Sequence, residues 1–149
     1  MANVKAKGKV SGPATVGYSG TPLPQKLGIK EGSKVGLVGA PAGFTAGALP
    51  TGATCSNRAT GNAYDVLVVF VKTRAALVTQ IAALRPKLSQ AGGLWIAWPK
   101  KASGVPTDIV EDTIREVALP TGLVDNKVCA IDATWSGLRL VIRKENRTK

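Results

Sequence analysis

Four basic residues follow two apolar segments in the middle of the chain. In chain order they are Lys72, Arg74, Lys100 and Lys101. The first two follow the apolar residues 66–71, and the last two follow residues 94–98. If both segments are neighbouring strands of a parallel sheet with right-handed crossovers, all four side chains project from one edge. Like charges repel, so the pattern predicts a crevice that an anion visits; the alternative is that they fan outward into solvent, as most surface bases do.

The segment that carries these bases is typical of a Rossmann-like domain. Both apolar segments are continuous rather than alternating, as in strands buried on both faces of a parallel sheet. Leu77, Ile81, Leu84 and Leu88 recur between them at helical spacing, which predicts a helix with one apolar stripe. Open α/β sheets bind ligands outside the carboxyl ends of their strands, where the four bases are expected.

Two glycines, a serine and a tryptophan complete the candidate ligand-binding set, namely Gly39, Gly43, Ser103 and Trp135. The glycines follow a predicted strand, where the backbone could approach a phosphate. Their spacing matches neither the Walker loop nor the dinucleotide fingerprint, and ordinary tight turns are the alternative. Ser103 follows the second basic pair. Trp135 is predicted to be exposed at a hairpin tip, where its ring could stack on a ligand.

The remaining sequence predicts the other elements of an α/β domain. Thr21 and Thr107 are expected to cap helices, and a short helix inside the small-residue loop after Gly39 is left open. The fold class expected is a small three-layer Rossmann-like domain, mostly parallel with a C-terminal antiparallel hairpin. The predicted elements outside the central unit are helices at residues 21–27 and 108–118 and strands at residues 34–38, 53–55, 124–132 and 138–143.

Composition indicates one domain with basic ends. The 149 residues carry a net charge of +11, most of it in residues 1–34 and 143–149. The division expected is a flexible basic arm at residues 1–20, one domain at 21–143 and a basic tail at 144–149. Basic arms can hold nucleic acid or acidic partners through salt-sensitive contacts, and they also serve as solubilising ends; both interpretations stay open.

Several classes of function are disfavoured by composition. The chain has no histidine, which removes Ser–His–Asp and Cys–His catalysis and histidine metal sites, so no metal site is expected. No apolar run is long enough to span a bilayer, and no apolar region follows the N-terminal lysines. The expected location is therefore cytoplasmic, with Cys55 and Cys129 as reduced, largely buried thiols. The predicted hairpin leaves a strand edge that could pair with a second copy.

Two segments resemble class I S-adenosylmethionine-dependent methyltransferases. They are LGIKEGSKVGLVGAPAGF at residues 27–44 and ALRPKLSQAGGLWIAW at residues 83–98. The resemblance covers roughly residues 27–143 as a pattern of elements, and it implies a glycine loop that holds the methionine part of the cofactor. The family's second strand ends in an acid that holds the ribose, whereas no carboxylate lies between Ala53 and Asn62. S-adenosylmethionine is thus an alternative rather than the expected cofactor; none is predicted.

Three further segments resemble a family of small bacterial proteins classed as domain of unknown function 3052. They are GYSGTPLPQKLGIKEG, WPKKASGVPTD and GLVDNKVCAIDATWSGL. This resemblance extends over residues 17–143 and implies no particular reaction. The leading hypothesis is a non-catalytic binding or regulatory module whose strand-end bases receive an anionic ligand or partner. The alternatives are a methyltransferase with a non-standard cofactor site and a nucleic-acid-associated protein acting through its basic arms.

Overall fold

A computed structural model describes residues 22–146 of the chain. The predicted arm at residues 1–20, the cap at Thr21 and the last three residues of the predicted tail lie outside this range. The helices are α1 (Leu23–Leu27), α2 (Arg74–Leu84) and α3 (Glu111–Ala118), and the strands are β1 (Lys34–Val38), β2 (Thr54–Ser56), β3 (Tyr64–Phe70), β4 (Leu88–Pro99), β5 (Leu123–Ala130) and β6 (Trp135–Ile142).

The strands form one six-stranded sheet in the order β2-β1-β3-β4-β6-β5. The strands β2, β1, β3 and β4 pair in parallel, and β6 runs antiparallel to both β4 and β5. The predicted fold class is therefore confirmed, including the antiparallel C-terminal hairpin. The outer strand β5 supplies the expected open edge, and its pairing with a second copy stays a prediction.

Two apolar layers sandwich the sheet. On the helix face, Leu77 and Ile81 of α2 and Ile114 of α3 pack against alternate residues of the central strands. On the opposite face, called the loop face here, α1 and the segment after β1 cover the other residues of the same strands. Because β3 and β4 contribute side chains to both layers, their uninterrupted apolar sequences are explained.

The five-residue helix α1 is held to the loop face through its carbonyl end. Trp95 Nε1 donates to the Leu27 carbonyl at 3.0 Å, and Lys127 Nζ donates to the Lys26 carbonyl at 3.1 Å. Gly28, in the left-handed conformation at φ 82°, ends the helix. A helix this short is not stable alone, so these contacts and the burial of Leu27 fix its position.

The helix α3 is tied to β5 by Arg115. Its guanidinium lies 3.1 Å from Asp125 of β5 and also contacts Glu111 and Asp112 of its own helix. Hydrogen bonds to Asp125, Glu111 and Asp112 raise the pKa of Arg115 above its ordinary value. This network ties α3 to the outer strand β5 of the sheet.

One predicted helix start is wrong, and the open question of a helix after Gly39 is answered. Residues 39–53 contain turns but no helix, because Gly39, Gly43 and Gly47 all take positive φ angles and Pro41 interrupts the segment. The helix predicted at residues 108–118 begins at Glu111 instead, since the Thr107 hydroxyl donates to the Lys72 carbonyl at 2.7 Å. None of the helices within residues 22–146 is long and apolar enough to cross a membrane.

Candidate anion-binding edge

The carboxyl ends of β3 and β4 bring the predicted bases to one edge of the sheet. Phe70 pairs with Ala97, and the Val71 amide donates to the Ala97 carbonyl at 2.9 Å. Lys72 and Lys100 therefore leave adjacent parallel strands in the same direction. The predicted proximity follows from this register, while the role of these bases in binding stays a prediction.

Arg74, the first residue of α2, already has an acidic partner. Its Nη1 lies 2.8 Å from Glu116 Oε1 of α3, and both side chains are more than half exposed. Exposed pairs of this kind contribute about 0–1 kcal/mol, so a ligand could compete for the guanidinium at small cost. Lys72 is exposed without an ion pair among the described residues.

The amino end of α2 is capped by the protein itself. The Thr73 hydroxyl accepts from the Ala76 amide at 3.1 Å, and Asp108 Oδ1 accepts from the Arg74 amide at 2.7 Å. A carboxylate therefore stands where the positive end of the helix dipole would attract an external anion. This helix end is not available to a ligand unless Asp108 moves.

Lys100 and Lys101 lie in a turn that Ser103 holds together. The Ser103 hydroxyl donates to the Lys100 carbonyl at 2.7 Å and accepts from the Val105 amide at 3.1 Å. The predicted ligand contact from Ser103 would require it to leave these bonds. Lys101 is exposed and lines a cavity of about 500 Å³, whereas Lys100 is half-buried.

That cavity, called the edge cavity here, lies between the end of β4 and the start of α3. Its walls are largely apolar, with one base and one acid. Besides Lys101, it is lined by Trp98, Pro99, Gly104, Val105, Pro106, Thr107, Ile109, Val110 and Glu111. Glu111 also contacts Arg115 at 2.7 Å, so its negative charge is partly balanced. The result is a hollow suited to an apolar group beside a cation.

The glycine loop after β1 closes directly onto β3. A Cβ on Gly39 would lie 3.1 Å from the Phe70 carbonyl oxygen, so the two backbones are in close contact. Gly43 has open space around its Cα and a φ of 80°, as a tight turn requires. The loop then places the Phe44 ring edge-on to Phe70, with ring centroids 4.9 Å apart.

Trp135 is buried, and the prediction that it is exposed is wrong. Only 7% of its surface is accessible, and its ring packs edge-on against Phe70 at 5.1 Å. Asp132 Oδ1 accepts from the amides of Thr134 and Trp135, which tightens the hairpin and brings Trp135 into the first position of β6. Stacking on a ligand would require this aromatic cluster to open.

A second cavity, of about 540 Å³, lies at the opposite edge, where the parallel strands begin. Four bases from separate segments line it, namely Lys26, Lys30, Lys127 and Arg139. No helix or strand pattern in the sequence predicts this hollow, which is called the amino-edge groove here. Its one sequence signal is the pair Gly92-Gly93, since a Cβ on Gly93 would collide with the Arg139 guanidinium.

Two solved structures are similar to this fold. A SAM-dependent methyltransferase from Aquifex aeolicus has a TM-score of 0.59 and 14% identity, over 79% of this chain and 86% of that one. The fibrillarin of Aeropyrum pernix, in complex with natively bound S-adenosyl-L-methionine, has a TM-score of 0.51 and 14% identity, over 84% and 70% of the two chains. At this identity the likeness defines the class of fold alone, a methyltransferase-like α/β domain.

The sequence comparison defines the family. Residues 50–144 match the model of the family described as protein of unknown function (DUF3052), and the chain belongs to that family. No curated protein matches the chain in sequence.

The carboxyl edge lacks one contact for S-adenosylmethionine in the position that the fold resemblance implies. The glycine loop lies against the Phe70 backbone, and Phe44 covers the ring of Phe70. The second strand, β2, ends at Ser56 without a carboxylate to hold ribose hydroxyls. A cofactor bound there would therefore lack its ribose contact.

Proposed function

We propose that this protein is a non-catalytic binding or regulatory module that receives a small organic anion at the carboxyl edge of its sheet, in the bacterial cytoplasm. The observation that carries the proposal is the edge cavity, in which the cation Lys101 borders walls that are otherwise mostly apolar. Small-molecule sites combine an apolar lining with a few polar groups that fix orientation. A volume of about 500 Å³ is within the range of such sites.

The cavity has further positive charge close to it. Thr107 lines the cavity and donates to the Lys72 carbonyl, so the first basic residue lies beside it. Lys100 precedes Lys101 in the same turn. An anionic group in the cavity would be attracted by Lys101, with the Lys72 and Lys100 backbones close by, while the apolar part of the ligand contacts the Trp98 indole and Val110.

The polar groups at this edge support a binding role over methyl transfer. Ser103, Thr107 and Asp108 each make short hydrogen bonds that hold a loop or a helix end. Using any of them as a proton acceptor from a substrate would cost the local structure that forms the cavity. The missing ribose contact at the cofactor position points in the same direction.

Isothermal titration calorimetry with benzoate, phenyl phosphate and S-adenosylmethionine tests the proposal. We expect saturable binding of at least one aromatic anion. Lys101→Gln should weaken it about tenfold or more, because a hydrogen bond to a charged group contributes about 1.5–3 kcal/mol. The matched control is Lys144→Gln, which removes an exposed base outside the cavity. Equal affinity of the two variants, or tight saturable binding of S-adenosylmethionine, would overturn the proposal.

Nucleic-acid association through the basic arms is the remaining alternative, and it has its own test. Deleting residues 1–17 should then abolish retention of the protein on immobilised RNA or DNA at low salt. Retention that is unchanged by the deletion counts against the arms. Loss of retention without any effect on aromatic-anion binding would separate the two activities.

A further inference from the structure

The amino-edge groove and the edge cavity lie at opposite edges of the sheet. It is bordered by Gly32 and Ser33 just before β1, by Asp65 near the start of β3 and by Ala91 in the first half of β4. The edge cavity begins at Trp98, close to the other end of β4. The groove is therefore a separate feature, and nothing in the proposed function uses it.

The charges in the groove favour a dianion. Four basic side chains face two acids, Glu31 and Asp65, along its walls. Asp65 is already engaged, since its Oδ2 accepts from the Lys34 amide at 2.8 Å. The groove therefore keeps a positive excess that a doubly charged ligand would balance.

Two of the four cations, Lys26 and Lys127, are held in place by hydrogen bonds to backbone carbonyls. Lys26, with only 7% of its surface accessible, donates to the Ala130 carbonyl at 3.2 Å. Lys127 donates to the carbonyl of Lys26 at 3.1 Å, so these two ammonium-bearing residues are neighbours. An ammonium has three N–H donors, and Lys127 therefore retains donors for a ligand. Cations that are already positioned lose less conformational freedom when an anion binds.

The Arg139 side chain occupies its position because Gly93 has no side chain. Arg139 Cζ would lie 2.8 Å from a Cβ on Gly93, so its guanidinium lies directly over the Gly93 backbone. Arg139 is opposite Trp95 in the β4–β6 register, and Trp95 holds α1 on the same face. The loop face thus brings bases from α1, β5 and β6 around one hollow.

From this arrangement we infer a second binding site, in the amino-edge groove, for a small molecule that bears a phosphate monoester. The dianionic phosphate contacts Lys127 and Lys30, and the volume of about 540 Å³ leaves room for the organic part of the ligand. This site is independent of the carboxyl edge, so its ligand binds whether or not the edge cavity is filled.

Titration of the full-length protein with glycerol phosphate at constant ionic strength tests the inference, with amide chemical shifts as the readout. We expect saturable shifts centred on residues 26–33 and 126–127, absent when chloride replaces the phosphate compound. The double variant Lys30→Gln/Lys127→Gln should weaken binding at least tenfold, and Lys101→Gln should leave it unchanged. Gly93→Ala, which displaces Arg139 without removing a charge, should weaken it by a smaller factor.

The outcomes separate the two sites. Glycerol phosphate binding that Lys101→Gln weakens and the groove variant does not would place the anion at the carboxyl edge and overturn the inference. No saturable shift in the wild-type protein would overturn it as well. Amide spectra of each variant without ligand show whether the fold is retained; if the groove variant unfolds, Gly93→Ala decides, and unchanged affinity in that variant refutes the site.

Discussion

The adjacent glycines of β4 offer two substitutions with the same chemistry and different expected results. Between its pairings of Tyr64 with Leu88 and of Val66 with Gly93, the sheet has an irregularity that brings β4 against β3. A Cβ on Gly92 would lie 2.7 Å from the Tyr64 carbonyl oxygen and 3.1 Å from that of Asp65. Both contacts are with backbone, which cannot move without disturbing β3. On Gly93 the obstacle is the flexible end of Arg139.

The free energies of unfolding should therefore diverge. Overpacking in Gly92→Ala costs about 1–3 kcal/mol, and the lower entropy of the unfolded alanine chain returns about 0.4–1 kcal/mol. We expect a net loss of roughly 1–2 kcal/mol, which for a chain of this length lowers Tm by about 2–8 °C. In Gly93→Ala the Arg139 side chain can move aside. The loss of packing and the lower entropy of the unfolded chain should then nearly cancel, so the free energy of unfolding should change by no more than about 0.5 kcal/mol.

Urea unfolding followed by tryptophan fluorescence measures both variants. Trp95, Trp98 and Trp135 are all buried, so their emission reports loss of the core. The slope of the free energy with urea concentration should match that of the wild type, which makes the shift in midpoint a change in stability. If Gly92→Ala is as stable as Gly93→Ala, the close approach of β4 to the Tyr64 carbonyl does not constrain the strand, and the reasoning fails.

Three more substitutions or labelling experiments test the described contacts. Trp95→Phe should lower the free energy of unfolding by about 1–3 kcal/mol, because the buried Leu27 carbonyl loses its donor. Trp135→Phe keeps an aromatic ring against Phe70 and should lower the free energy of unfolding by less. Equal losses in the two variants would contradict this role of the Trp95 indole. Asp108→Ala should lower the free energy of unfolding by about 1 kcal/mol, because it removes the acceptor at the amino end of α2. Sulfate should then raise the Tm of this variant more than that of the wild type. An equal rise in Tm would show that the helix end attracts no anion. Burial raises the pKa of the Cys55 and Cys129 thiols, so the rate of maleimide labelling of each should increase as the pH rises toward its pKa. Mass spectrometry should find the exposed Cys55 modified before the half-buried Cys129. The reverse order would contradict the structure.

The central elements could be predicted because their signals are local. The continuous apolar runs of β3 and β4 and the apolar stripe of α2 each lie within one segment of the sequence. The shared edge of the bases follows from the parallel pairing of β3 and β4, because parallel strands end at the same edge of a sheet. The exposure of Cys55 was mispredicted because the short strand β2 is fully exposed at the rim of the sheet, despite its strand-like composition.

The burial of Trp135 and the amino-edge groove depend on contacts between distant segments. Trp135 is buried because Asp132 shortens the hairpin and the Phe44 loop, about ninety positions earlier, completes the aromatic cluster around Phe70. The groove unites Lys30 with Lys127, which no local pattern relates. Neither feature follows from the residues of a single helix or strand, so the periodicity of apolar residues alone cannot predict it.

The packing at the strand ends bears on where this methyltransferase-like sheet could bind the proposed ligand. In the order β2-β1-β3-β4, the chain turns back between β1 and β3, and a crevice at such a switch point is the usual ligand site. Here Gly39 follows the pairing of Val38 with Val69 and lies close to the Phe70 carbonyl, while Phe44 packs edge-on against Phe70. Aromatic contacts of this kind contribute about 0.5–1.5 kcal/mol per pair beyond burial, which a ligand that opened them would have to offset. A ligand in the edge cavity beside Lys101 would leave these aromatic contacts in place, which supports the proposed site at the end of β4.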